Sequence, residues 1–216
     1  MKKMNLTAAI ALSLSAGMMS SSANAALASN AVLNINPGSY FGLDLDGDGQ
    51  ISAQSGTLIS QSQGIRVGTA QSITVPPASQ PSVIDIWQGS PGTHWTDSPA
   101  NILSDNGQGT VTLDLSGLNM WDGIQNIFLG SGAWETGFTD GIAQLNCNTD
   151  CSFGDSYTLS YFATVPTNDP SDFAGMAYTL QLEGRISAVP VPAAVWLFGS
   201  GLLGLAGFLR RRNTTL

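Results

Sequence analysis

Three aspartates at alternate positions mark the most chemically specific stretch of the chain, Asp44-Leu45-Asp46-Gly47-Asp48-Gly49-Gln50-Ile51-Ser52. Carboxylates packed this closely repel one another unless a hard cation lies among them, and alternate spacing aims them at one point. Asp44, Asp46 and Asp48 take the first, third and fifth places of a calcium loop, and Gly49 supplies the sharp turn at the sixth. The Gln50 carbonyl falls at the seventh place, Ile51 anchors the loop at the eighth, and Ser52 stands at the ninth. The expected ligand set for Ca2+ is therefore Asp44, Asp46, Asp48, Gln50 and Ser52. The same Asp and Gly residues also suit a solvated turn, so two readings stand at this point.

Aromatic residues form the second group. Trp87 follows Val-Ile-Asp-Ile and reads as part of a strand, with Trp121 further on. Trp95, in PGTHWTD, and Trp134, in GSGAWETG, sit among turn residues, which predicts exposure and a stacking platform for sugar rings. The competing reading for each is burial, the usual fate of tryptophan.

Catalytic constellations are sparse. His94, the chain's single histidine, has Asp97 and Asp85 as triad partners, but no Gly-x-Ser-x-Gly elbow supplies a nucleophile. A histidine in a loop is ordinarily solvated. Glu135 and Glu183 are a candidate glycosidase pair among many other carboxylates. The expectation is a protein that is not an enzyme. Cys147 and Cys151, in CNTDC, lack companions for a zinc site, so a disulfide closing a small ring is expected outside the cytoplasm.

The elements that must carry these groups alternate with period two. Val111, Leu113 and Leu115 share one face, as do Tyr157, Leu159, Tyr161 and Ala163, and again Met176, Tyr178, Leu180 and Leu182. Asn106-Gly107 tolerates the positive φ angles of a tight hairpin turn. No stretch of the body holds a helical period. This predicts an all-β fold, an antiparallel two-sheet sandwich of jelly-roll-like kind, over residues 26–188. Residues 69–82 read as an irregular loop.

The two ends differ from the body. Residues 1–25 run from Lys2 and Lys3 through an apolar stretch to Ala23-Asn24-Ala25, the order of a secretory signal peptide. Residues 189–216 hold Val189-Pro190-Val191-Pro192, a charge-free stretch 193–209 and Arg210, Arg211 and Arg212. As a helix, 193–209 spans about 25 Å, enough for a thin hydrocarbon core, with the arginines on the cytoplasmic side. Gly199, Gly201, Gly204 and Gly207 leave notches for close approach of another helix. Of the seven Lys and Arg residues the ends take five, leaving Arg66 and Arg185 against all 15 acidic residues. Such a field excludes nucleic acid as a partner.

Two resemblances follow. The tail, with Val189, Pro190, Pro192 and Ala193, the helix from Trp196 through Gly199, Gly201 and Gly204, and the arginines 210–212, resembles the PEP-CTERM sorting signal. Pro190-Val191-Pro192 replaces the family's Pro-Glu-Pro, as in variant signals of Val-Pro-x-Pro-Ala type. The resemblance implies a bacterial chain exported through the inner membrane and tethered transiently by one C-terminal helix. An exosortase-type sorting enzyme would then release it to the cell surface or extracellular matrix, in association with exopolysaccharide and biofilm. The body resembles uncharacterised ectodomains that carry this tail. The aspartate loop resembles the first half of an EF-hand or dockerin-type loop. It departs at the twelfth place, where Ser55 stands instead of a bidentate Glu, and in having predicted strands around it. The leading expectation is an exported, non-enzymatic surface or matrix protein. A carbohydrate-binding module and a calcium-dependent secreted hydrolase are the alternatives.

Overall fold

The computed structural model describes residues 26–51, 56–59, 61–73, 87–89 and 92–189. The expected signal peptide and the sorting tail lie outside the described residues, as does Ser52. Among the described residues there is no helix, and none therefore long and apolar enough to cross a membrane.

The fold is all-β. Its strands are β1 (Ala31–Ile35), β2 (Tyr40–Leu43), β3 (Thr57–Leu58), β4 (Gln61–Ser62), β5 (Ile65–Arg66), β6 (Trp87–Gly89) and β7 (Gly92–Thr96). They continue with β8 (Ile102–Asp105), β9 (Thr110–Asp114), β10 (Leu118–Trp121), β11 (Asn126–Phe128), β12 (Ile142–Cys147), β13 (Ser156–Thr164) and β14 (Ala177–Ala188). All strand pairs are antiparallel. The larger sheet runs β3-β2-β14-β13-β12-β9-β8, with β1 beside β14 and β5 beside β1, and the smaller runs β11-β10-β7-β6-β4.

The spine is β14. One of its edges pairs with β13 along nine residues, from Ala177 to Arg185. Its other edge is shared, Tyr178 to Gln181 pairing with β2 and Gly184 to Ala188 with β1. The turn between β1 and β2 sits where the partner changes. There the Asn36 amide donates to the Glu183 carbonyl at 2.8 Å, and the Ser39 hydroxyl to the same carbonyl at 3.2 Å.

Alternation along the strands builds the interior, as the sequence predicts. Val111, Leu113, Leu115, Leu145, Leu159, Tyr161, Ala163, Tyr178, Leu180 and Leu182 are all buried on one face of the larger sheet. They pack in one cluster with Leu118, Met120 and Ile127 of the smaller sheet, which gives a sandwich-like arrangement. Tyr161 also crosses between the layers, its hydroxyl donating to the Leu129 carbonyl at 2.6 Å. Met176 departs from expectation: it precedes β14 and is half-buried, because the chain turns at Phe173–Met176 before the strand begins. Asn106-Gly107 does lie in the β8–β9 connection, with Gly107 at φ 65°.

Candidate functional site

The aspartate loop leaves β2 and leads toward β3, which pairs antiparallel with β2. It is thus a strand–loop–strand connection, as the alternation around it implies, and not the helix pair of an EF-hand. Its entry is tied down by the Asp44 amide, which donates to the Ala177 carbonyl at 2.9 Å. Ile51, the expected anchor, packs back onto β2: its Cγ2 lies where a Cβ on Gly42 would come within 2.6 Å.

Within the loop the Asp44 carboxylate organises the backbone. Its Oδ1 accepts from the Gly47 amide at 2.9 Å and the Asp48 amide at 3.2 Å, and its Oδ2 accepts from the Gly49 amide at 2.9 Å. Asp46 accepts from the Asp48 amide at 3.4 Å and Asp48 from the Gln50 amide at 2.7 Å. Gly47 and Gly49 hold φ values of 72° and 73°, which a glycine adopts without strain and which curl the chain around the carboxylates. As a result, one carboxylate oxygen from each of Asp44, Asp46 and Asp48 lies within 4.8 Å of the others.

This donor set fits a hard cation. Backbone amides occupy three of about four lone-pair positions on Asp44, so that residue has room for one further ligand bond. Asp46 and Asp48 are exposed and keep most of their acceptor capacity. An all-oxygen carboxylate set suits a hard cation rather than zinc or copper. Gln50 is exposed at the loop's end, next to Ile51.

The cysteines are joined. Cys147 and Cys151 form a disulfide with their Cα atoms 5.3 Å apart. Cys147 ends β12, and Cys151, fully buried at φ 64°, turns the chain back toward β13.

Trp95 takes the burial reading and drops out as a stacking residue. Its position is strand rather than turn, only 2% exposed, with the indole Nε1 donating to Asp97 Oδ1 at 3.0 Å. Its ring has no open face for a sugar. Turn-forming neighbours suggested exposure, but the β7–β10 pairing carries Trp95 into a buried row beside Asn119. Trp134 differs. It is half-buried on the outer side of the larger sheet, edge-on to Phe162 at 5.2 Å, with its Nε1 donating to the Tyr178 carbonyl at 2.8 Å. Phe138 meets the same Phe162 ring at 4.5 Å. Phe162 and Phe138 were missed in the sequence, although Phe162 falls on the outward phase of β13, where an aromatic is out of pattern.

His94 is also not where its neighbours suggested. It lies inside the sandwich with no exposure, its Nε2 sharing a hydrogen bond with the Tyr178 hydroxyl at 2.9 Å. Burial pushes its pKa down to about 3, so the ring is neutral. Asp97 faces elsewhere, accepting from Trp95 and from the Asn119 amide at 3.0 Å. Asp85 lies outside the described residues, and Glu135 is exposed on the loop after β11. Compared with known proteins, the chain matches no family model, no curated protein and no solved structure.

Proposed function

We propose that this chain is an exported, non-enzymatic sandwich protein of a bacterial cell surface or extracellular matrix, of jelly-roll-like kind and stiffened by calcium. In this reading residues 1–25 are a cleaved leader and 26–188 the functional body. Residues 189–216 are a transient membrane tether and sorting signal read by an exosortase-type enzyme. The observation that carries the placement is the Cys147–Cys151 disulfide, because such bonds persist in oxidising compartments outside the cytoplasm. Calcium at Asp44, Asp46 and Asp48 suits the same place. A loop without an acid at Ser55 binds on the order of 10⁻⁴ to 10⁻³ M, adequate where calcium is millimolar. The ion would hold the β2–β3 connection in one conformation by neutralising three like charges.

The test is intact-mass measurement of secreted material from cells with an active exosortase. A mature chain starting at Ala26 and ending near Pro190–Ala194 supports the reading. A membrane-bound chain retaining Arg210, Arg211 and Arg212 reduces the tail to a plain anchor. A second reading, a carbohydrate-binding module within that matrix, is favoured by the half-buried Trp134–Phe162–Phe138 cluster on the outer sheet face.

A further inference from the structure

A polar cavity of about 480 Å³ opens where β12, β13 and β14 meet the β1–β2 turn. That size lies within the range of small-ligand sites, roughly 300–1,000 Å³. Strand pairing lines up Asn146, Thr158 and Glu183 in one row across its floor, on the face opposite the buried Leu145, Leu159 and Leu182. Asn36, Asn148 and Ser156 contribute the walls. The Glu183 carboxylate is laid over the turn by Gly38, at φ 111°, where any Cβ would collide with Glu183 Oε1.

Neighbouring positions on the same sheet face behave differently. Two residues along, the Ser160 hydroxyl donates to Gln181 Oε1 at 2.7 Å, Gln181 Nε2 donates to the Thr179 hydroxyl at 3.1 Å, and Gln144 Nε2 donates to the Gly137 carbonyl at 2.9 Å. Those polar groups are satisfied by the protein. Around the cavity, Asn36, Asn146, Asn148, Thr158 and Glu183 are instead exposed to solvent. Among the described residues the side chains of Asn36, Asn148, Ser156, Thr158 and Glu183 make no hydrogen bond, and Asn146 takes only a 3.5 Å bond from Thr110. Six polar groups therefore line the cavity with their hydrogen-bonding capacity left to solvent or to a ligand that replaces it.

Their chemistry selects a ligand. Amides and hydroxyls both donate and accept, as sugar hydroxyls do, and one carboxylate accepts from a pair of neighbouring hydroxyls. No lysine or arginine lines the cavity, and the body's acidic balance repels an anionic sugar. Phe162 lies four residues from Thr158 on the same face of β13, about 13 Å away, and carries the aromatic cluster with Trp134 and Phe138.

We propose that this cavity binds one ring of a neutral glycan chain among Asn36, Asn146, Asn148, Thr158 and Glu183. The following rings run along β13 to rest on the Trp134–Phe162 cluster. The proposal deepens the second reading above. It rests on the matrix assignment only for where such a glycan is met, so export and processing can hold while sugar binding fails.

The test is calorimetric titration of the full chain in mild detergent with cellohexaose, maltohexaose and mannohexaose, and with an anionic hexauronate as control. At least one neutral hexasaccharide should bind below about 1 mM, and hexauronate should not. Glu183→Gln and Asn146→Ala should each weaken that binding about tenfold or more at unchanged melting temperature. Trp134→Ala should weaken the hexasaccharide and leave a disaccharide of the same sugar unaffected. Thr158→Val, a surface change on an exposed strand position, is a further probe if another variant is unstable. Absence of binding by all three neutral sugars at about 5 mM overturns the proposal. So does tighter binding of hexauronate, or sugar binding that none of the cavity variants alters.

Discussion

The Tyr178 hydroxyl and His94 Nε2 lie 2.9 Å apart across the interface of the two sheets, both side chains fully buried, with the Phe41 ring edge-on to the imidazole at 4.5 Å. The pair is a polar link between the layers, as is the Tyr161 hydroxyl on the Leu129 carbonyl, in an interface otherwise built of apolar contacts. Burial depresses the His94 pKa from 6.5 to about 3, so between these values the unfolded chain binds a proton that the folded chain refuses. Stability contributed by the neutral ring is complete above pH 6.5 and is lost as pH falls toward 3. The full effect is on the order of 5 kcal/mol. His94 is the only histidine, so urea denaturation at pH 7.5, 5.5 and 4.5 should show a loss that begins well above the carboxylate range. His94→Gln should flatten that slope whatever it does at pH 7.5. An unchanged slope in the variant would refute the assignment.

Calcium should raise the melting temperature, increasingly so at higher concentration, because the ion binds only the folded loop. Asp46→Ala should abolish the response and leave a folded protein, since it removes a ligand together with one of the repelling charges. Asp44→Ala should do both kinds of damage. It also strips the acceptor for the Gly47, Asp48 and Gly49 amides, at a cost of about 1–2 kcal/mol even in chelator. Equal melting temperatures in chelator and in millimolar calcium would show that the loop is a solvated turn.

Reduction should have a modest effect. The Cys147–Cys151 ring is short, so its loss costs roughly 2 kcal/mol. Both cysteines should resist alkylation in the native protein until a reductant is added and the chain is unfolded, Cys151 being fully buried. Free thiols in freshly isolated exported protein would contradict the bond.

Two glycines should respond differently to alanine. Gly184 sits where β14 passes β1, and a Cβ there would run into the Asn34 carbonyl oxygen. Gly184→Ala must therefore push β14 and β1 away from each other, and expression of soluble protein should fall sharply. Gly137, at φ 91°, has open space around its missing Cβ, so its alanine variant bears only backbone strain of about 1–2 kcal/mol. Comparable melting temperatures for the two variants would show that the strand contact at Gly184 relaxes without cost.

Residue type alone is enough to mark the strands whose two faces differ. In β9, β13 and β14 one face meets oil and the other water, so the alternation of Val111-Leu113, Leu159-Tyr161 and Leu180-Leu182 is written directly in residue type. The aspartate loop and the disulfide were legible for a related reason: their residues lie within a few positions of one another, and short chain geometry brings them together. His94 and Trp95 were not legible. They occupy adjacent positions of β7 and point to opposite faces, yet both are buried, so no alternation marks the strand. What covers each face is a matter of tertiary packing, and turn-like neighbours gave the wrong expectation. The cavity at Asn36, Asn146 and Glu183 is the extreme case. Asn36 lies more than a hundred positions before the other two, and only the exchange of β14 from one edge partner to the other brings them to one place.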